Sequence, residues 1–197
     1  LLLILVIPGF IYLFISKAEN NFMTLSFVGP KEHVIPDFSF VNQNNEIITN
    51  DDYRGNIYVA NFFFTTCPTI CPIMTYNMKS LYDDFSNSKE VQFVSITVDP
   101  NNDNIEVLKN YAKINGITDE RWQLLTSDLG NIKSLKREGF MLFADELPQG
   151  HAIKFILIDD DQNIRKYFDG TDEASLTILK KDISNLVREL KRYEKRT

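Results

Sequence analysis

Cys67 and Cys71 are the only cysteines in the 197-residue chain, four positions apart in Thr65-Thr66-Cys67-Pro68-Thr69-Ile70-Cys71-Pro72. Any thiol chemistry of this protein is therefore theirs. Two thiols at this spacing can close a disulfide or hold a soft metal ion as thiolates. As a structural staple, a bridge across so short a loop restricts little of the unfolded chain. Thiol exchange and metal binding are the uses that remain open.

The elements around the pair are readable from periodicity. Residues 57–64, Ile-Tyr-Val-Ala-Asn-Phe-Phe-Phe, are too continuously apolar for a half-exposed strand and predict a central strand covered on both faces, with the cysteine loop leaving its C-terminal end. Met74, Met78, Leu81, Tyr82 and Phe85 recur at helical spacing, with Pro72 in the first turn, where its missing N–H costs little. Residues 91–98 predict the next strand, parallel to the first through a right-handed crossover. Asp103 and Glu106 read as a capping box opening a helix with Ile105, Leu108, Tyr111 and Ala112 on its apolar face, ended by Gly116. A strand at 122–125 and a short helix at 131–137 follow, then a hairpin of strands 152–158 and 164–168, then a helix from Glu173 to about Leu190. Upstream, strands 38–41 and 46–49 flank an Asn-rich turn at 42–45. The order is hairpin, β-α-β-α-β-α, hairpin, helix, an α/β chain.

In open α/β sheets ligands collect beyond the C-terminal ends of the parallel strands. Cys67 and Cys71 follow one such end and Asp99 another. If strand 152–158 runs antiparallel, it starts at the same edge, and the residue there is His151. Two thiolates and one imidazole form a soft, low-coordinate set that suits Cu(I). A structural zinc site takes four ligands, and with no further cysteine a carboxylate or water would have to complete it, so copper is favoured on ligand type and count while zinc stays open. Asp99 is a candidate to support the ligands or to meet a partner, and Asp103 reads as a cap. Met74 and Met78 read as core. His33, the other histidine, is expected to be exposed and uninvolved.

Residues 1–15 carry no charge, so residues 1–16 are expected to form a transmembrane anchor or signal segment, with Ser16-Lys17-Ala18 as a possible cleavage site. Residues 17–32 read as a tether and 33–197 as the folded domain. Export places the pair in an oxidising compartment, where a thiol reductase must keep it available. The net charge of −6, with no clustered Lys/Arg footprint, argues against nucleic-acid binding.

The element order resembles a thioredoxin-like sandwich with an N-terminal β-hairpin extension. The string Phe62-Phe-Phe-Thr-Thr-Cys-Pro-Thr-Ile-Cys-Pro-Ile-Met74, followed by Asp99-Pro-Asn-Asn-Asp103 and Gly150-His-Ala-Ile-Lys154, resembles the Sco/SenC family over roughly residues 34–190. That resemblance implies one copper ion held by Cys67, Cys71 and His151. It further implies a membrane-tethered copper chaperone, not an enzyme in the strict sense, that serves the dinuclear copper site of cytochrome c oxidase. The setting implied is the periplasmic side of the cell membrane in preference to the mitochondrial inner membrane. The rival is a thiol-disulfide oxidoreductase using Cys67 and Cys71 as its redox pair. Thioredoxins carry Cys-x-x-Cys, and a cis-proline before the facing strand. This chain has one more residue between its cysteines, and His151 where the proline would stand, with Pro148 earlier.

Overall fold

The computed structural model describes residues 25–30, 33–144, 147–148 and 152–194, together with Ile7, Ile11 and Tyr12. β1 (Ser39–Asn42) and β2 (Ile47–Thr49) form the N-terminal hairpin; β3 (Ile57–Phe63), β4 (Val91–Thr97) and β5 (Trp122–Thr126) form the parallel centre; β6 (Lys154–Ile158) and β7 (Ile164–Asp169) form the second hairpin. Among the described residues, four α-helices connect or follow them: α1 (Ile70–Asp84), α2 (Ile105–Ile114), α3 (Leu129–Ser134) and α4 (Glu173–Glu194). The strands make one sheet in the order β2-β1-β5-β4-β3-β6-β7.

β3 is parallel to β4 and antiparallel to β6, and all seven of its residues are buried. Its alternation divides the core. Ile57, Val59 and Phe63 face the layer of α1, α2 and α4, with Met74, Met78, Leu108, Leu179 and Ile183. Tyr58, Ala60 and Phe62 face the layer of the hairpin and α3, with Phe40, Tyr53, Ile132 and Phe140. Each fully buried Phe contributes about 1.5–3 kcal/mol of apolar burial, which is why this strand reads as a continuous apolar run. It also makes β3 a fixed platform for the loop at its end.

Several expectations needed correction. The short helix after β5 begins earlier, at Leu129, and runs into a π-helical turn, Leu135–Gly139. The N-cap of α2 is Asn104, whose side chain accepts from Val107 N at 3.1 Å, and not Asp103. His33 is half-buried and donates from Nε2 to Gly139 O at 2.8 Å. Part of the stretch read as a tether packs on the domain: Val28 N–H donates to Ile164 O at 2.9 Å, and Leu25 lies against the helical-layer core. Among the described residues no helix is long and apolar enough to cross a membrane. Nearly all of the expected anchor, residues 1–16, lies outside them.

Candidate functional site

The cysteine loop spans the gap between the end of β3 and the start of α1. The N-cap residue of α1, Thr69, offers no side-chain cap. Cys67 Sγ takes that place, accepting the Cys71 N–H at 3.5 Å, while Cys67 N–H donates back to Phe64 O at 3.3 Å. The loop thus folds over the helix N-terminus, whose first N–H groups have no partner within the helix. Pro72 falls in that first turn, where it removes no helical hydrogen bond.

Both cysteines are unbridged and buried, Cys67 8% exposed and Cys71 1%. Their acidities diverge. Burial acts to raise the Cys67 thiol, but hydrogen bonds from the backbone of Cys71, Thr69 and Ile70 and from the Cys71 thiol outweigh it, and its pKa falls below the ordinary value. Cys71 is pushed up to about 12, chiefly by burial, with the negative charges of Cys67 and Asp103 adding to it. One sulfur is thus an anion in waiting and the other a thiol, a division set by which of them faces the helix N–H groups.

Asp103, which the sequence assigned to a helix cap, is fully buried beneath the loop. Its carboxylate accepts from Thr65 N–H at 3.1 Å, from the Thr65 hydroxyl, and from the Thr97 hydroxyl at 2.5 Å. Asp99 is taken up by its own turn: its carboxylate accepts from Asn102 Nδ2 at 2.8 Å and its carbonyl accepts from Asp103 N–H at 2.9 Å. Tyr111 of α2 stacks beside Phe63, with ring centroids 5.3 Å apart, and its hydroxyl lies 2.7 Å from Thr75 Oγ1. Burial raises its pKa, and the charges of Cys71, Asp103 and Cys67 act in the same direction, which puts the phenol within electrostatic reach of the pair. Beside it a groove of about 330 Å³ borders the loop at Thr65 and Pro72 and is rimmed by exposed Tyr76 and Ile114.

Met74 and Met78 are fully buried in the core, as their spacing indicates. On the other side of the sheet Lys136, in the π-helical turn, is buried with its ammonium 5.5 Å from the Phe62 ring centroid, and burial lowers its pKa to about 8. His151 lies outside the described residues. Among the described residues no group of three or more His, Cys, Asp or Glu side chains gathers to hold a metal ion. The Leu147–Pro148 bond, three residues ahead of His151, is cis.

Sequence inspection missed Asp103 and Tyr111 as neighbours of the pair. The signal for Asp103 was present: an Asp-Pro-x-x-Asp turn just after a strand that ends beside the strand carrying the cysteines. Nothing local singled out Tyr111, whose place depends on how α2 packs.

A thioredoxin-like mixed sheet that presents an unbridged dithiol at the N-terminus of the helix after its central strand defines the class of this protein. The chain belongs to the SCO1/SenC family, whose model matches residues 28–188. It is 26% identical over 184 residues to the SCO1 protein homolog of Bacillus subtilis, covering 90% of this chain and 93% of that one. Among solved structures it is similar to a SCO1/SenC family lipoprotein from Bacillus anthracis, with 31% identity and a TM-score of 0.73 over 82% of this chain and 99% of the other. It is also similar to BsSco, a member of the Sco family of cytochrome c oxidase assembly proteins in which a disulfide switch has been identified. That match has 25% identity and a TM-score of 0.71, over 81% and 96% of the two chains. The copper-bound ScoI of Arabidopsis thaliana shares the fold at 22% identity, with a TM-score of 0.65, over 77% and 98%.

Proposed function

We propose that this protein is a copper chaperone of cytochrome c oxidase assembly, tethered to a membrane on its extracytoplasmic side. It binds one copper ion, Cu(I) by preference, through Cys67, Cys71 and His151 and passes it to the oxidase's dinuclear copper site. The observation that carries this reading is the adjacent, unbridged Cys67–Cys71 pair at the helix N-terminus. Sulfur donors select a soft ion, and the N–H groups around Cys67 stabilise the anionic sulfur a metal requires. Copper displaces the remaining thiol proton from Cys71, so loading releases protons and is favoured by rising pH. Transfer then proceeds by exchange of these ligands for the target's own cysteines, with no net redox change. The copper-bound relative and the family's place in oxidase assembly support both the cargo and the client.

A second reading is favoured by the divergence of the two thiols. A low-pKa Cys67 beside a protonated Cys71 is the arrangement of a dithiol that attacks a disulfide and then resolves the mixed disulfide. On this reading the protein keeps the oxidase's cysteines reduced, and BsSco's disulfide switch is in keeping with it.

Anaerobic Cu(I) titration of the reduced chain against a competing chelator separates the two. Tight one-to-one binding is expected, weakened tenfold or more in His151→Ala and abolished in Cys67→Ser and Cys71→Ser. His151→Ala should still form its disulfide. Unchanged affinity in His151→Ala would remove the histidine from the site, and weak wild-type binding would leave the redox reading standing.

A further inference from the structure

We propose that Asp103 is the positioning residue of the dithiol. The proposal rests on Cys67 and Cys71 being the reactive pair, whichever chemistry they perform. A buried carboxylate is costly unless donors surround it, and this one has three, two of them from a single residue at the root of the cysteine loop. By taking both the N–H and the hydroxyl of Thr65, Asp103 fixes the chain where it leaves β3, two residues before Cys67. The third donor, Thr97, ends β4 and is itself fixed, since its Oγ1 accepts the Asp99 N–H at 3.0 Å. Asp103 N–H closes the turn onto Asp99 O. Thr97, Asp99 and Asp103 therefore form a rigid bracket on the neighbouring strand, and Thr65 is bolted to it.

The oxygens of Asp103 accept all three bonds, so both threonine hydroxyls are committed to it as donors. The consequence falls on Cys67. With Thr65 fixed, the short loop can bring Cys67 Sγ back over the Cys71 N–H. With Thr65 released, the sulfur loses that register and the helix N-terminus loses its cap. Asp103 touches neither sulfur in this scheme. Its charge also reaches Cys71, where it disfavours the thiolate, but its hold on the position of the loop runs through Thr65.

The test uses the full chain with Asp103→Ala, Asp103→Asn and Thr65→Val, each at a temperature where circular dichroism shows it folded. Two quantities are read: Cu(I) affinity against a chelator, and the dithiol–disulfide equilibrium against glutathione. In the second, Cys67 and Cys71 give up two electrons and two protons as their S–S bond forms, and glutathione disulfide is reduced to two thiols. Asp103→Ala should bind Cu(I) at least tenfold more weakly. It should also move about tenfold towards the disulfide, because the reduced state loses the N–H bond to sulfur, a shift of about 30 mV for a two-electron couple. Asp103→Asn should recover most of both losses, since its amide oxygen can accept from Thr65 N–H and Thr97 while its NH₂ donates to Thr65 Oγ1. Thr65→Val, which keeps its N–H bond, should shift both about threefold in the same direction. A folded Asp103→Ala with wild-type affinity and wild-type equilibrium overturns the proposal. If Asp103→Ala does not fold, an unchanged Thr65→Val does so. A wild-type chain that fails to bind Cu(I) removes the copper reading only, and the glutathione equilibrium then decides whether Asp103 positions the pair.

Discussion

At Cys67 and Cys71 the same loop produces opposite results from one residue type. Burial acts on both to disfavour the thiolate, but it is outweighed at Cys67 by N–H groups of the first helical turn and not at Cys71. Because the thiolate is the nucleophile, iodoacetamide should label Cys67 alone between about pH 7 and 9, with a rate that levels off at lower pH than that of an ordinary thiol. Peptide mass spectrometry reads this directly, and equal labelling of Cys71 would contradict it. The sign for stability is opposite at the two sites. Cys67 has a depressed pKa, so it favours the folded state increasingly as pH rises through its folded value, fully once an unfolded thiol is also ionised. Cys71 keeps its proton in the folded state up to about 12, whereas an unfolded thiol releases it earlier, so its contribution to stability is lost as pH climbs through that interval.

The elements were legible where the signal is local. The apolar run of β3, the helical spacing of Met74 and Met78 and the Asn-rich turn each follow from their own residues, and β3's coverage on both faces follows from its lack of alternation. The start of α2 was not legible. Asp103 and Asn104 are both good N-caps, and the choice between them is made by Thr65, 38 positions away, which claims the carboxylate. The cysteine pair was visible at once, whereas its bracket needed two strand ends to be neighbours. Asn104 as the true cap gives a prediction. Asn104→Ala should destabilise the domain by about 0.5–2 kcal/mol in denaturant melts with little change in Cu(I) affinity, because it frays α2 without touching Thr65. Glu106→Ala should be nearly neutral, as Glu106 is exposed and the capping box read from sequence is not formed. A larger cost at Glu106 than at Asn104 would restore the original assignment.

Across the whole molecule, the two ends of the sheet have different tasks. The cysteine loop leaves the C-terminal end of β3, while Tyr58 near its other end pairs with Ile158, and Ile158 with Ile164. It is at Ile164 that Val28 joins the sheet edge, so the segment linking the domain to residues 1–24 approaches at the end opposite the thiols. Arg165 adds to this attachment. Its guanidinium pairs with Asp159 at 3.1 Å, with both side chains at least nine-tenths buried, donates to Leu25 O, and stacks 4.6 Å from the Phe27 ring centroid. Removing one partner of a buried pair leaves the other charge uncompensated, a loss of 3–5 kcal/mol in typical cases. Here Asp159 retains donors from Asp161 N and Asn163, so Arg165→Ala should cost about 3 kcal/mol, the low end of that range. Residues 25–28 should release first: hydrogen exchange at the Val28 amide should accelerate well beyond that of the β3 amides. Cu(I) affinity, which the proposed ligands Cys67 and Cys71 would place at the far end of the sheet, should stay the same while the protein is folded. Unchanged protection at Val28 would show that the segment is held by its apolar contacts and not by Arg165.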